Sequence, residues 1–184
     1  MGKKLWIPCL LLAGFSLFTG ILKAQTLSSE DIKATLVKEW ERAKAYTDSY
    51  LETMPANKYN FKAMDSVRSF AQQMIHLGQT NYFLISAATD ALPPPAVQAD
   101  LEHRGTMQTK DSVTYFVNAS YDFAINAVKN LDVSKWGEKK TLMKYTETRF
   151  ALLLKSFEHQ THHRGQTTIY IRVAGLKPPQ ESLF

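Results

Sequence analysis

Three of the five histidines in this 184-residue chain fall within five consecutive positions, at His159, His162 and His163. His159 and His163 are four residues apart, and side chains at this spacing project side by side from an α-helix. Two imidazoles placed in this way could share one divalent cation. Imidazole suits zinc, nickel, iron or copper better than magnesium or calcium. The spacing therefore indicates part of a transition-metal site.

The segment around these histidines has the periodicity of a helix that faces a core, because its stripe residues recur at alternating spacings of four and three. Apolar side chains should fill such a stripe, but its middle is polar. The stripe residues are Leu152, Ser156, His159, His163, Gln166, Tyr170 and Val173. Buried polar groups in this number need a partner, and a divalent metal is the simplest one. His162 lies about 100° away from this stripe, so we expect it at the boundary or exposed.

His76 is the candidate for a third ligand. It lies near the middle of a second helical pattern, on a polar line that reads Ser69, Gln73, His76, Thr80 and Phe83. A lone histidine in the middle of a helix is usually a hydrogen-bonded core or boundary residue. The pair at 159 and 163 makes the metal-binding interpretation of His76 stronger. His103 lies in a connection, where a solvated imidazole is expected.

Four periodic segments must position these side chains. Helix one runs from the cap at Ser28 to Met54. Helix two opens near Asp65 and ends near Ala88, helix three runs from Thr109 to Leu131, and helix four runs from about Thr141 to Ala174. Alternation typical of strands extends over no more than a few residues, so we predict an all-α four-helix bundle. The long crossover from Leu92 to Thr109 joins helices two and three, which favours two helical hairpins.

The N-terminus has the pattern of a secretory signal peptide. Lys3 and Lys4 precede a mostly apolar run that ends at Leu22, and Ala24 offers a cleavage point. We predict a signal peptide at residues 1–24, a single bundle domain at 25–184, and a secreted or periplasmic protein. An uncleaved anchor is the alternative, but Pro8 and several small or polar residues interrupt the run, so we expect no stable membrane span after cleavage.

Cleavage would remove three of the chain's lysines and its single cysteine, Cys9. The formal net charge would fall from +5 to +2, and a charge this small gives no reason to expect nucleic acid as a partner. The mature chain would lack disulfides, thiolate chemistry and zinc sites that use cysteine.

Several enzyme classes are excluded because the chain lacks their sequence motifs. A zincin needs Glu directly after its first histidine, and Gln160 stands there. No nucleophile elbow, phosphate loop or dinucleotide fingerprint is present. A di-iron bundle needs Glu-x-x-His pairs, and Glu158 directly before His159 does not supply that spacing.

Three blocks of this sequence resemble the DinB/YfiT-like metalloenzyme superfamily. They are HLGQTNYF from His76 to Phe83, the pattern of His159 followed by His163-Arg164-Gly165-Gln166, and the ending YIRVAGLKPP from Tyr170 to Pro179. The resemblance covers the mature chain and implies a four-helix bundle whose metal is held by His76, His159 and His163. Members with assigned chemistry include thiol transferases and isomerases, and many others carry only a provisional assignment as metal-dependent hydrolases. The signal peptide departs from the family's usual cytosolic setting, where low-molecular-weight thiols are available.

The leading hypothesis is an exported protein that uses a three-histidine cation, zinc, nickel or iron, for hydrolysis or group transfer on a small-molecule substrate. Gln166 and Tyr170 are candidates to orient the ligands. One alternative is a bundle in which the metal has a structural role without turnover. Another is that the histidines are satisfied core residues, hydrogen-bonded to Ser69, Thr80 or Gln166. The substrate remains open, as does the choice between a monomer and a homodimer.

Overall fold

The computed structural model describes residue 2 and residues 26–98 and 100–184. The predicted signal peptide, apart from Gly2, lies outside the described residues. Four helices dominate: α1 (Ser29–Thr53), α2 (Phe70–Thr89), α3 (Lys110–Asn130) and α4 (Arg149–Val173). A hairpin of β1 (Lys139–Leu142) and β2 (Tyr145–Thr148) precedes α4. The predicted four-helix bundle is confirmed.

Each helix begins at a hydroxyl side chain that satisfies a free backbone N–H group of the first turn. Ser28 and Asp31 form a reciprocal capping box at α1, and Ser69 and Gln72 form one at α2. Thr109 caps α3, and the Thr148 hydroxyl accepts from the Ala151 N–H at the start of α4. The expected caps of the first and third helices are therefore confirmed.

The packing of the helices differs from the predicted arrangement of two helical hairpins. Helix α2 lies between α3 and α4 with extensive contacts to both, and α1 packs mainly on α3. Gly78 of α2 faces Phe116, while Tyr82 contacts both Phe116 and Phe123 of α3. Because these contacts follow the same order along both helices, α2 and α3 run parallel. A parallel pair needs a connection that returns along the bundle, which explains the long crossover between Thr89 and Lys110.

Two predicted helix boundaries are wrong. Helix α2 begins at Phe70 rather than near Asp65, because Ser69 caps it and the Phe70 N–H group donates to the Phe61 carbonyl in the preceding turn. Helix α4 begins at Arg149 rather than at Thr141. The intervening residues pair as an antiparallel hairpin, with Lys139 opposite Thr148 and Leu142 opposite Tyr145.

The contacts that attach the base of the hairpin to α4 include one stacked ring pair and the ion pair of Arg149 with Glu138. The Trp136 and Phe150 rings stack with their centroids 4.8 Å apart. Arg149 donates to Glu138 at 2.8 Å and to Asp90 at 2.7 Å. Among the described residues, no helix combines the length and apolar character that a membrane crossing requires.

Candidate metal centre

The packing of α2 against α4 brings His76, His159 and His163 together. His159 and His163 lie one turn apart on α4, with ring centroids separated by 4.2 Å. The His76 ring, from α2, lies 5.3 Å from that of His159 and 4.6 Å from that of His163. One nitrogen from each ring can be chosen so that all three lie within 4.8 Å of one another. This spacing is compatible with three nitrogens around one divalent metal ion.

Burial disfavours the protonated forms of His159 and His163. Burial, together with the smaller effects of the nearby His76 and His162, lowers the pKa of His159 to about 4. Burial, together with the smaller effects of His159, His76 and His162, lowers the pKa of His163 to about 3. Both rings are therefore neutral near pH 7, which is the form that binds metal.

One buried ring nitrogen in the cluster lacks a hydrogen-bond partner among the described residues. The Nδ1 atom of His159 is buried and makes no hydrogen bond to any described residue. Buried polar atoms in folded proteins are almost always satisfied, so this atom needs an explanation. A set of satisfied core histidines does not provide one, whereas a cation bound through this nitrogen would supply the missing partner.

Glu102 orients His76 from the long crossover. One carboxylate oxygen lies 2.7 Å from Nδ1 of His76, and the other accepts a hydrogen bond of 2.7 Å from Nε of Arg68. Burial alone would raise the pKa of Glu102, but the hydrogen bonds from Arg68 and His76 outweigh it, so the pKa is lowered. An ionised Glu102 accepts a hydrogen bond from the Nδ1–H group, which keeps the proton on Nδ1 and leaves Nε2 of His76 as the unprotonated ring nitrogen.

A pair of glutamines supports the other side of the cluster. Nε2 of Gln73, on α2, lies 2.8 Å from Nδ1 of His163 and also donates to Oε1 of Gln166. Nε2 of Gln166 is in turn 2.7 Å from Nε2 of His162. His162 itself is exposed and lies outside the three-ring cluster. Gln73 thus contacts His163 directly, whereas Gln166 contacts Gln73 and His162.

The remaining residues that the sequence analysis singled out lie apart from the three rings. The Tyr170 hydroxyl donates to the carbonyl oxygen of Arg68 at 2.8 Å, so it supports the segment that precedes α2. His103 is exposed and lies 2.9 Å from both carboxylate oxygens of Asp100. This position is that of the solvated loop imidazole expected for His103.

Sequence reasoning missed Arg68 and Glu102 and assigned no role to Gln73. One feature of the sequence could have identified Gln73 as a site residue, because it lies one turn before His76 on the polar line. No feature of the sequence could have identified Glu102, because it lies in a connection without periodicity and reaches His76 only through the path of the crossover.

A cleft of about 420 Å³ opens beside the cluster, between α2 and the crossover. His76 and Glu102 belong to its lining, so one of the three rings is in contact with a space that a small molecule could enter.

Comparisons with known proteins agree with this architecture. The profile of the DinB family matches residues 25–183. A DinB-like protein from Bacillus cereus ATCC 10987 superposes with a TM-score of 0.69 at 15% sequence identity, covering 81% of this chain and 97% of that one. A DinB-like protein from Bacillus subtilis superposes with a TM-score of 0.63 at 16% identity, covering 79% and 96%. No curated protein sequence matches the chain. The family match spans nearly all of the described residues, and the chain belongs to the DinB family.

Proposed function

We propose that this protein is an exported, metal-dependent hydrolase or group transferase in which His76, His159 and His163 hold a divalent cation. Zinc, nickel and iron are the metals that three imidazoles favour. The single observation that carries the proposal is the unpartnered Nδ1 of His159 within a cluster of three neighbouring rings. The N-terminal sequence pattern supports export.

The chain prepares the three imidazoles for binding in two ways. Burial keeps His159 and His163 neutral near pH 7, so a cation would displace few protons from them. Glu102 fixes the proton of His76 on Nδ1 and leaves Nε2 free. These interactions reduce the work of assembling the ligands, which is the expected role of groups that surround a metal site.

Gln73 would adjust when the site is loaded. Its amide nitrogen faces Nδ1 of His163, so in this state the neutral ring carries its proton on Nε2. Binding through Nε2 would move that proton to Nδ1. The carboxamide of Gln73 would then rotate so that its oxygen accepts a hydrogen bond from Nδ1–H, and Gln166 would follow by presenting its own amide nitrogen to that oxygen.

Three protein ligands are typical of catalytic sites that retain an open coordination position. A cation held there would lower the pKa of a water molecule and polarise the substrate. The cleft beside His76 supplies access. Arg68 lies beside His76, with Nη2 3.4 Å from Nδ1 of His76, and its partly exposed guanidinium group could orient an anionic or carbonyl oxygen of a small substrate.

A second candidate is a cation that links α2 to α4 without turnover. It is favoured by the state of Glu102, the carboxylate bonded to the cluster. Both of its oxygens are engaged, one with Arg68 and one with His76, so it is not a free general base. In this case the cation would stabilise the polar stripe of α4 and no substrate would react.

Metal removal and restoration separate the two candidates. The assay is hydrolysis of 4-nitrophenyl acetate by protein that has been treated with chelator and then reloaded with zinc, nickel or iron. A hydrolase loses the activity on chelation and regains it with one of these metals, and His163→Ala abolishes the recovery. His103→Ala is the matched control, because His103 is exposed and outside the cluster. Stoichiometric metal that stabilises the protein without turnover of this ester or of acyl-transfer substrates would favour the structural candidate.

A further inference from the structure

The surface of the cleft beside His76 is mostly apolar. Its apolar walls come from both sides, with Tyr82 and Phe83 on α2 and Pro93 and Val97 on the crossover. The remaining lining residues are His76, Gln79, Thr80, Ser86 and Glu102. His76 and Ser86 are ten residues apart, which corresponds to about 15 Å along a helix. The candidate metal centre thus lies at one end of a long, mostly apolar space.

Phe83 is unusual among the wall residues because 49% of its surface is exposed. It also borders a second cleft of about 310 Å³, whose other walls include Leu142, Met143 and Tyr145 of the hairpin. Single exposed apolar residues are common on protein surfaces. An aromatic ring that forms a wall of two clefts, two turns of helix from His76, has the position expected of a residue that contacts a ligand.

The charges in the lining restrict the ligand. Glu102 is the charged residue of the lining, and its charge is balanced by Arg68. In the part of this space away from His76 and Arg68, the phosphate of a nucleotide or of a phosphorylated sugar would lose hydration without gaining a counter-charge. An apolar group would gain from leaving water. At the far end, the Ser86 hydroxyl is buried without a partner among the described residues and could bond to one polar atom.

We propose that this space, called here the apolar cleft (His76, Gln79, Thr80, Tyr82, Phe83, Ser86, Pro93, Val97 and Glu102), binds an apolar part of the substrate. The substrate is accordingly a small amphipathic molecule with a polar reactive function at His76 and a hydrocarbon chain or ring against Phe83 and Val97. The assignment of the reactive end rests on the proposed function, whereas the apolar contact rests on the cleft alone.

Alkyl hydroxamates of different length test the apolar contact. Their head group chelates metals, and the head group of hexanohydroxamate is the same as that of acetohydroxamate. In calorimetric titrations of zinc-loaded protein, we expect hexanohydroxamate to bind at least about tenfold more tightly, because its additional methylenes are buried. Phe83→Ala and Val97→Ala should each reduce this ratio severalfold and leave the affinity for acetohydroxamate unchanged. Tyr145→Ala is the matched control, since it removes an exposed aromatic residue from the second cleft only.

The outcomes separate the two proposals. Equal affinity for both hydroxamates would overturn the apolar cleft and leave the metal centre intact. Loss of the ratio in Tyr145→Ala but not in Phe83→Ala would also overturn it, because the alkyl chain would then occupy the second cleft.

If neither hydroxamate binds, the open metal centre fails, and hexan-1-ol is titrated into metal-free protein and followed by NMR. Shifts of the Phe83 and Val97 amide signals would still support the apolar contact. Their absence, with shifts elsewhere or none, would refute it.

Discussion

The metal-free protein should lose stability when the pH falls from 7 to 5, because two histidines are buried in their neutral form. The pKa of His159 falls from 6.5 to about 4, and that of His163 falls from 6.5 to about 3. Between these values the unfolded chain binds protons that the folded protein does not. The free energy of unfolding therefore decreases with falling pH below about 6.5, until the folded pKa values are reached.

The size of this effect follows from the shifts. From pH 6.5 to pH 5 is 1.5 pH units, and at about 1.36 kcal/mol per unit one histidine alone would account for about 2 kcal/mol. The two rings are neighbours that titrate together and are partly hydrated, so their contributions do not simply add. We expect a total loss of about 2 kcal/mol between pH 7 and pH 5, after this reduction.

Urea unfolding followed by circular dichroism, in the presence of chelator at pH 7, 6 and 5, measures this loss. Glu102 does not interfere, since its lowered pKa means that its contribution is lost only below its ordinary value of 4.5. The double variant His159→Asn/His163→Asn should show a flatter pH dependence, and His103→Asn should behave like the wild type. A stability that is constant from pH 7 to pH 5, or a slope that survives in the double variant, would refute the reasoning.

Two further predictions concern the orientation of His76 and the packing of α2. Glu102→Gln should weaken metal binding by roughly 10- to 100-fold in a competitive chelator titration, because it removes the charge that fixes the proton of His76, and an unchanged affinity would contradict that role. Gly78→Ala should lower the melting temperature, since the new Cβ atom would lie 2.9 Å from Phe116, whereas Gly165→Ala meets no atom within 4 Å and should stabilise α4 by up to about 1 kcal/mol. Equal shifts for the two alanine variants would show that α2 and α3 are not in close contact at Gly78.

Much of the bundle could be predicted from local sequence. The caps at Ser28 and Thr109 and the apolar periodicity after them depend on neighbours within a few residues, so they can be recognised from the sequence alone. The start of α4 was not predictable in this way. Lys139 to Thr148 forms a short hairpin whose stability depends on pairing and on contact of its base with α4, and four-residue strands give too little alternation to be recognised.

The candidate site likewise contains some residues that local sequence predicts and others that it does not. His159 and His163 stand out because their spacing and their stripe are local properties of one helix. Glu102 could not be identified, because it reaches His76 only after the crossover has returned along the bundle. Gln73 lay on the correct polar line, but a glutamine there has no chemical signature until His163 is known to face it. The helix order also escaped prediction, since periodicity defines a buried face without naming its partner.

The most direct test of the central claim is elemental analysis of the protein purified from its native compartment. The account predicts about one equivalent of zinc, nickel or iron per chain, lost in His163→Ala and retained in His103→Ala. Purified protein without stoichiometric metal, together with a His163→Ala variant unchanged in metal content and stability, would contradict it.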